Sequence, residues 1–271
     1  MTNVNPYRTF FETEGHNLGR KRLDLSDLFP ENSDFRNYMI IIAGRCGSTW
    51  LGRMLQDLGF VGTPNEWFNT QGLPAYYAKR NARGLADYVK QTAKLHPVFG
   101  VQINPERLFH LEELIDFDKT FAGFATIDLR RRDFVAQAFS FARAHRSGRW
   151  HNVQGPPSEV EDQDVWKMIR YIIRNEQRID KWYGSRKLSP LRLNYEDILT
   201  NPDAVILRIL LRLSRKNELP FYSPLPQPQK RNGDGSTDTA YLDFLGRYID
   251  RIEAIHTDRS RANGPKFIRR R

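Results

Sequence analysis

Residues 38–43, Tyr-Met-Ile-Ile-Ile-Ala, form a near-continuous apolar run without polar alternation. A strand with one wet face alternates, so an unbroken run of this length predicts a strand covered on both faces, as in a parallel sheet. Directly after it the period changes: Trp50, Leu51, Met54, Leu55 and Leu58 recur at the spacing of one helix face. Comparable apolar runs stand at 98–103, 121–129 and 191–193, each followed by a helical pattern. Strands that alternate with helices predict an α/β layered fold around a parallel sheet.

The later helices carry their own punctuation. Asp133 is placed to cap "FVAQAFSFARAHRS", and Gly148 to end it. A long helical pattern, "DQDVWKMIRYIIRNEQRIDKWYG", stops at Gly184; Asn201 and Pro202 open "DAVILRILLRLSRK", with proline in the first turn. The stretch "LPFYSPLPQPQKRNGDGS" is too rich in proline and glycine for either regular structure and predicts a loop, with a last helix over 240–256. There is no internal repeat and no second core with a clear boundary. The expected organisation is an N-terminal extension (1–36), one domain (37–257) and a basic C-terminal tail (258–271).

At 271 residues the chain is long enough for a substantial core, and 39% apolar and 12% aromatic content excludes a disordered composition. Lys and Arg number 42 against 32 Asp and Glu, a net charge of +10 that suits a polyanionic ligand or a nucleic acid without choosing between them. The first fifteen residues hold no apolar stretch of signal-peptide length, and no later run nears the ~20 residues of a membrane span, so a cytoplasmic location is expected. One cysteine, Cys46, excludes an intramolecular disulfide and a multi-cysteine metal site; the six histidines form no HExxH or comparable cluster, so no metal is expected.

The turn between the first strand and its helix is Gly44, Arg45, Cys46, Gly47, Ser48 and Thr49. A helix N-terminus approached closely through glycines is an anion site. A Walker loop would add lysine in GxxxxGK[ST], and no such lysine is present. Arg45, Gly47, Ser48 and Thr49 instead supply one cation, one point of close approach and two hydroxyls, which suits a single terminal phosphate or phosphosulfate. A second basic cluster, Arg130 to Arg132, ends the third strand, and Ser140 follows Arg132 by eight residues. An arginine at a strand end and a serine about two helical turns on can converge on one phosphate.

Together "RCGSTW" and "RRDFVAQAFS" resemble the two nucleotide-binding motifs of the sulfotransferases that use 3'-phosphoadenosine 5'-phosphosulfate (PAPS). The closer resemblance is to the bacterial branch that includes trehalose 2-sulfotransferase and the Nod-factor and lipopolysaccharide enzymes. It extends to "GFVGTPNEWFN", "PLRLNYEDILTNP" and "PQKRNGDGSTD", in the order found in that branch. The family's first motif commonly reads [KR]-S-G-T-T-W, so Cys46 stands where serine is usual and removes one hydroxyl donor.

The resemblance implies a P-loop-like α/β fold in a single domain, and a carbohydrate or glycolipid hydroxyl as acceptor. It assigns Arg45, Cys46, Gly47, Ser48, Thr49 and Trp50 to the 5'-phosphosulfate, Arg132 and Ser140 to the 3'-phosphate, and Lys230 and Arg231 to a segment closing over the nucleotide. It makes Glu66 the general base and Arg45 a stabiliser of the leaving phosphate. His145 and His151 are alternative bases, since imidazole serves often in that role. Trp67, Phe68 and Trp150 are candidates for the acceptor site, because sugars present apolar faces, although aromatics are as often core. Glu196 and Asp197 are expected to fix the turn after the fourth strand. The partners expected are the acceptor, a second copy of the chain and a peripheral membrane surface, without nucleic acid. Two rival classes remain open: a P-loop-like small-molecule kinase, opposed by the missing lysine, and a basic nucleic-acid binder, opposed by the absence of RNP, KH, zinc-finger or helix-turn-helix signatures.

Overall fold

The computed structural model describes residues 4–148, 150, 159–216 and 239–263. The chain divides into two compact units, Met1–Arg132 with Asn175–Pro228, and Asp133–Arg174 with Gln229–Arg271.

The first unit holds a four-stranded parallel sheet: β1 (Tyr38–Ile42), β2 (Gly100–Ile103), β3 (Ala125–Arg130) and β4 (Leu191–Asn194), in the order β2-β1-β3-β4. β1 pairs with β2 from Tyr38↔Gly100 and with β3 from Tyr38↔Ala125 to Ile42↔Leu129. All five residues of β1 are buried, as the unbroken apolar run predicts. Its alternate side chains enter two different clusters. Met39 and Ile41 join Val101, Ile103, Tyr7 and Phe11 of α1 (Pro6–Thr13), and Tyr88 of α4 (Leu85–Ala93). Tyr38, Ile40 and Ile42 join Leu51 and Leu55 of α2 (Ser48–Asp57), and Ile206 and Ile209 of α10 (Pro202–Leu213). Each fully buried aliphatic side chain contributes about 1.5–3 kcal/mol, so the two clusters fix β1 from both faces. Helices therefore flank a parallel sheet, the α/β architecture expected.

β3 begins later than the apolar run at 121–129 suggests. Phe121 closes α6 (Phe117–Thr120), Gly123 turns with φ 77°, and the rings of Phe121 and Phe124 meet at 5.0 Å. These aromatics pack a corner and do not extend the sheet; hydrophobicity alone does not distinguish the two fates. Also in this unit are α3 (Leu73–Lys79), α5 (Pro105–Glu112) and α9 (Tyr195–Thr200).

A buried ionic network secures β3. Arg130 Nη2 lies 2.8 Å from Asp128 Oδ2 and 2.6 Å from Asp180 Oδ1, and Arg192 Nη2 lies 2.7 Å from Asp180 Oδ1. Burial raises the Asp128 carboxyl pKa against the opposing pull of Arg130. Burial would raise Asp180 too, but hydrogen bonds and charge from Arg130 and then Arg192 hold it below the usual carboxylate range.

The second unit contains α7 (Phe134–Ser147), α11 (Thr239–Asn263, broken at Tyr248) and the start of α8 (Asp162–Ser185), within which the division falls. Asp133 caps α7 by accepting from the Ala136 N–H at 2.8 Å, and Gly148 ends it in the left-handed region, both as expected from the sequence. Its core joins Phe134, Phe139 and Ala142 to Trp166, Ile169 and Phe244. The proline-rich loop lies outside the described residues.

Candidate active site

β1 passes into its turn at Ala43. The backbone there needs two left-handed residues, Arg45 at φ 65° and Gly47 at φ 86°. Glycine at 47 is required twice over: besides its φ, an added Cβ would lie 2.4 Å from Cδ2 of Tyr195. Gly47 is the N-cap of α2, and no side chain caps that end. The positive end of the helix dipole is thus directed into the turn. Cys46 faces the other way. It is fully buried in the cluster of Ile42 and Leu51, and burial pushes its thiol pKa up to about 12, so only its backbone is offered to a ligand. Ser48 is half-buried and Thr49 exposed. Trp50 meets Tyr195 edge-on at 6.4 Å.

Two guanidinium groups bear on this turn. Arg45 lies in the turn itself and is exposed. Arg131, the residue after β3, is 7% exposed and lies over the Tyr195 ring, 4.9 Å from the centroid. Desolvation and then the charge of Arg131 lower the Arg45 pKa. Like charges disfavour each other, and an anion bound near both would relieve the repulsion. The order of the sheet explains why these loops meet. β1 leads on to β2 on one side and β3 to β4 on the other, so the crevice at their carboxyl ends is a topological switch point.

Gln102 of β2 joins the turn to the segment carrying Glu66. Its side-chain N–H groups donate to Ser48 O at 2.9 Å and Pro64 O at 3.3 Å, while its backbone N–H donates to Asn65 O at 2.9 Å. Asn65 also bridges Val101 in parallel. Gly52 of α2 allows the approach, since a Cβ there would stand 2.5 Å from the Gln102 amide nitrogen. Glu66 is 30% exposed, pairs with Arg107 of α5, and accepts from Asn69 Nδ2 at 3.3 Å. Gln102 thus holds the backbone before Glu66 beside the turn.

The other expected residues are placed as follows. Arg132 is exposed: its Nη2 lies 2.8 Å from Asp197 Oδ1, and its backbone N–H donates to Glu196 Oε2 at 3.0 Å. Glu196 and Asp197 thus reach the end of β3 as well as their own turn, where Asn194 Nδ2 donates to Asp197 Oδ2 at 3.2 Å. Trp67 and Phe68 are 7% and 5% exposed, inside the core; the Trp67 indole N–H donates to Gly100 O at 3.0 Å, and Arg80 covers the ring at 5.1 Å. Neither ring has a face open to a sugar. In the second unit Ser140 is half-buried on α7, and His145 packs edge-on to the half-buried Trp150 at 5.0 Å. His151, Lys230 and Arg231 lie outside the described residues.

The family model of the Stf0 sulphotransferases matches residues 37–99 and 102–248. The chain belongs to the Stf0 sulphotransferase family. No curated protein matches it. An Stf0 sulphotransferase transfers a sulfuryl group to an acceptor, so its site must receive an anionic leaving group and orient a nucleophile. The matched span of this sulphotransferase includes the turn after β1, the Glu66 segment and the end of β3. Among the described residues no helix is long and apolar enough to cross a membrane.

Arg131, Tyr195, Gln102 and Arg107 were not singled out by sequence reasoning. For Arg131 the available signal was a run of three arginines at a strand end. Nothing in the sequence says which of the three is buried.

Proposed function

We propose that the chain moves a sulfuryl group from PAPS to a hydroxyl of a carbohydrate or glycolipid, with Glu66 as the base. The observation that carries this reading is the uncapped N-terminus of α2, with Arg45 in its turn and Arg131 over Tyr195 beside Gly47, and with the backbone before Glu66 held to the same turn through Gln102. In the step, the bond from sulfur to the bridging oxygen of the 5'-phosphate breaks and a bond from sulfur to the acceptor oxygen forms. The acceptor proton passes to Glu66, and adenosine 3',5'-bisphosphate departs. Arg45, Arg131 and the α2 N-terminus stabilise the charge that develops on the leaving phosphate, and such preorganised groups act most where water is excluded. The resemblance assigns Arg132, Ser140, Lys230 and Arg231 to the nucleotide. A cytoplasmic location suits this donor. We assign no acceptor role to Trp67 or Phe68, whose rings are in the core; Trp150 is retained.

Calorimetry without metal, with adenosine 3',5'-bisphosphate against adenosine 5'-monophosphate, tests the donor assignment. Micromolar or tighter binding that requires the 3'-phosphate is expected. Equal, weak binding of both nucleotides would reject PAPS as donor.

A further inference from the structure

The two carboxylate oxygens of Glu66 have unequal surroundings. Both hydrogen bonds to its side chain go to Oε2, one from Arg107 Nη1 and one from Asn69 Nδ2 at 3.3 Å. Arg107 Nη2 simultaneously donates to Asn69 Oδ1 at 2.8 Å, so the guanidinium fork closes a ring with both residues. Oε1 receives no hydrogen bond among the described residues, and the side chain remains 30% exposed.

The clamp is itself anchored. Asn104 caps α5 by accepting from the Arg107 backbone N–H at 2.9 Å, Pro105 opens the helix, and Leu108 and Leu111 bury its inner face. Asn69 donates its backbone N–H to Glu66 O at 2.9 Å. Arg107 thus follows β2 through α5, while Glu66 is bound to β2 through Asn65. Both ends of the ion pair refer to one strand. The terminal torsion of a free glutamate is broad and two-fold. Two donors on one oxygen, Arg107 Nη1 and Asn69 Nδ2, remove that freedom.

We propose that Arg107, with Asn69, is a positioning residue that holds Glu66 by Oε2 and presents Oε1 to the acceptor hydroxyl. This rests on the reading of Glu66 as the base. If the ion pair only attached α5 to the preceding segment, its loss would lower stability without acting through Glu66.

The test measures transfer of radiolabelled sulfate from PAPS to a pool of glucose, trehalose, N-acetylglucosamine and octyl glucoside, using the full chain. Glu66→Gln should lower kcat by about 10²–10⁴-fold, the range for a general base. Arg107→Ala should lower kcat by about 10–100-fold with the KM for PAPS within about twofold, as for loss of orientation. Arg107→Lys should recover part of the loss. In a Glu66→Gln background, Arg107→Ala should have no further effect beyond about twofold, because the two act as a unit. If Arg107→Ala does not fold, Asn69→Ala should show the same dependence on Glu66 with a smaller loss.

The outcomes separate the two ideas. No labelling by the unsubstituted chain overturns the proposed function on which this rests, and full activity of Glu66→Gln overturns the base assignment and this proposal with it. An inactive Glu66→Gln beside a fully active Arg107→Ala overturns the role of Arg107 alone. So does an Arg107→Ala loss that is equal in both backgrounds.

Discussion

Replacing Gly47 by alanine concentrates the demands of the turn in a single methyl group. At φ 86° an L-residue meets the left-handed penalty, and its Cβ would stand 2.4 Å from Cδ2 and 3.0 Å from Cε2 of Tyr195. Since 3.4 Å or more is an ordinary contact, the ring must move by about an ångström. It cannot do so without leaving Arg131, 4.9 Å from its centroid, and Trp50, which meets it edge-on at 6.4 Å. The backbone term is about 1–2 kcal/mol, and loss of the cation–π and aromatic contacts brings the total to about 2–5 kcal/mol. Urea unfolding followed by tryptophan fluorescence measures this in the parent and in a Tyr195→Ala background. With the ring gone, Gly47→Ala should cost only the backbone share of about 1–2 kcal/mol. Equal costs in the two backgrounds would show that the ring is not the obstacle.

Arg131→Met should weaken binding of adenosine 3',5'-bisphosphate by about 10–100-fold, the worth of one charge-assisted contact; unchanged calorimetric affinity would remove Arg131 from the site. Arg130→Leu leaves Asp128, 3% exposed, without its nearest cation, and should cost about 3–5 kcal/mol in thermal unfolding; a loss below 1 kcal/mol would refute the network's importance. Cys46 should stay inert to Ellman's reagent at pH 8 until the chain unfolds. Because its folded pKa is raised from 9.0 to about 12, its contribution to stability is complete below pH 9 and is lost as the pH rises towards 12. A denaturation midpoint that Cys46→Ser leaves with the same alkaline slope would count against this assignment. Asp133→Ala removes the cap of α7 and the acceptor of the Tyr241 hydroxyl at 3.1 Å, and should lower stability by about 0.5–2 kcal/mol.

The elements read best were those with two independent signals. α7 had both a capping aspartate and a stopping glycine, and its bounds agree with the reading; β1 and α2 had a change of period at a glycine turn. Phe121 and Phe124 had only hydrophobicity, which fits a corner as well as a strand. The same limit applies to the site. The turn after β1 was legible because its chemistry is contiguous. Arg130, Arg131 and Arg132 look alike in sequence, yet the first is locked to Asp128 and Asp180, the second is buried over Tyr195, and the third is exposed beside Asp197. The Arg107 to Glu66 pair spans 41 residues and leaves no local mark. Trp67 and Phe68 were attractive as sugar platforms by type, but packing had already used both rings.

The sheet also places the two groups of residues on different strands. The anion turn and Arg131 extend from β1 and β3, strands with a neighbour on each side, whereas Glu66 and its clamp are built around β2, at the end of the order. The two groups meet at Gln102, whose side chain donates to both Ser48 O and Pro64 O. On the roles proposed above, a change at Gln102 should disturb donor and acceptor preferences together.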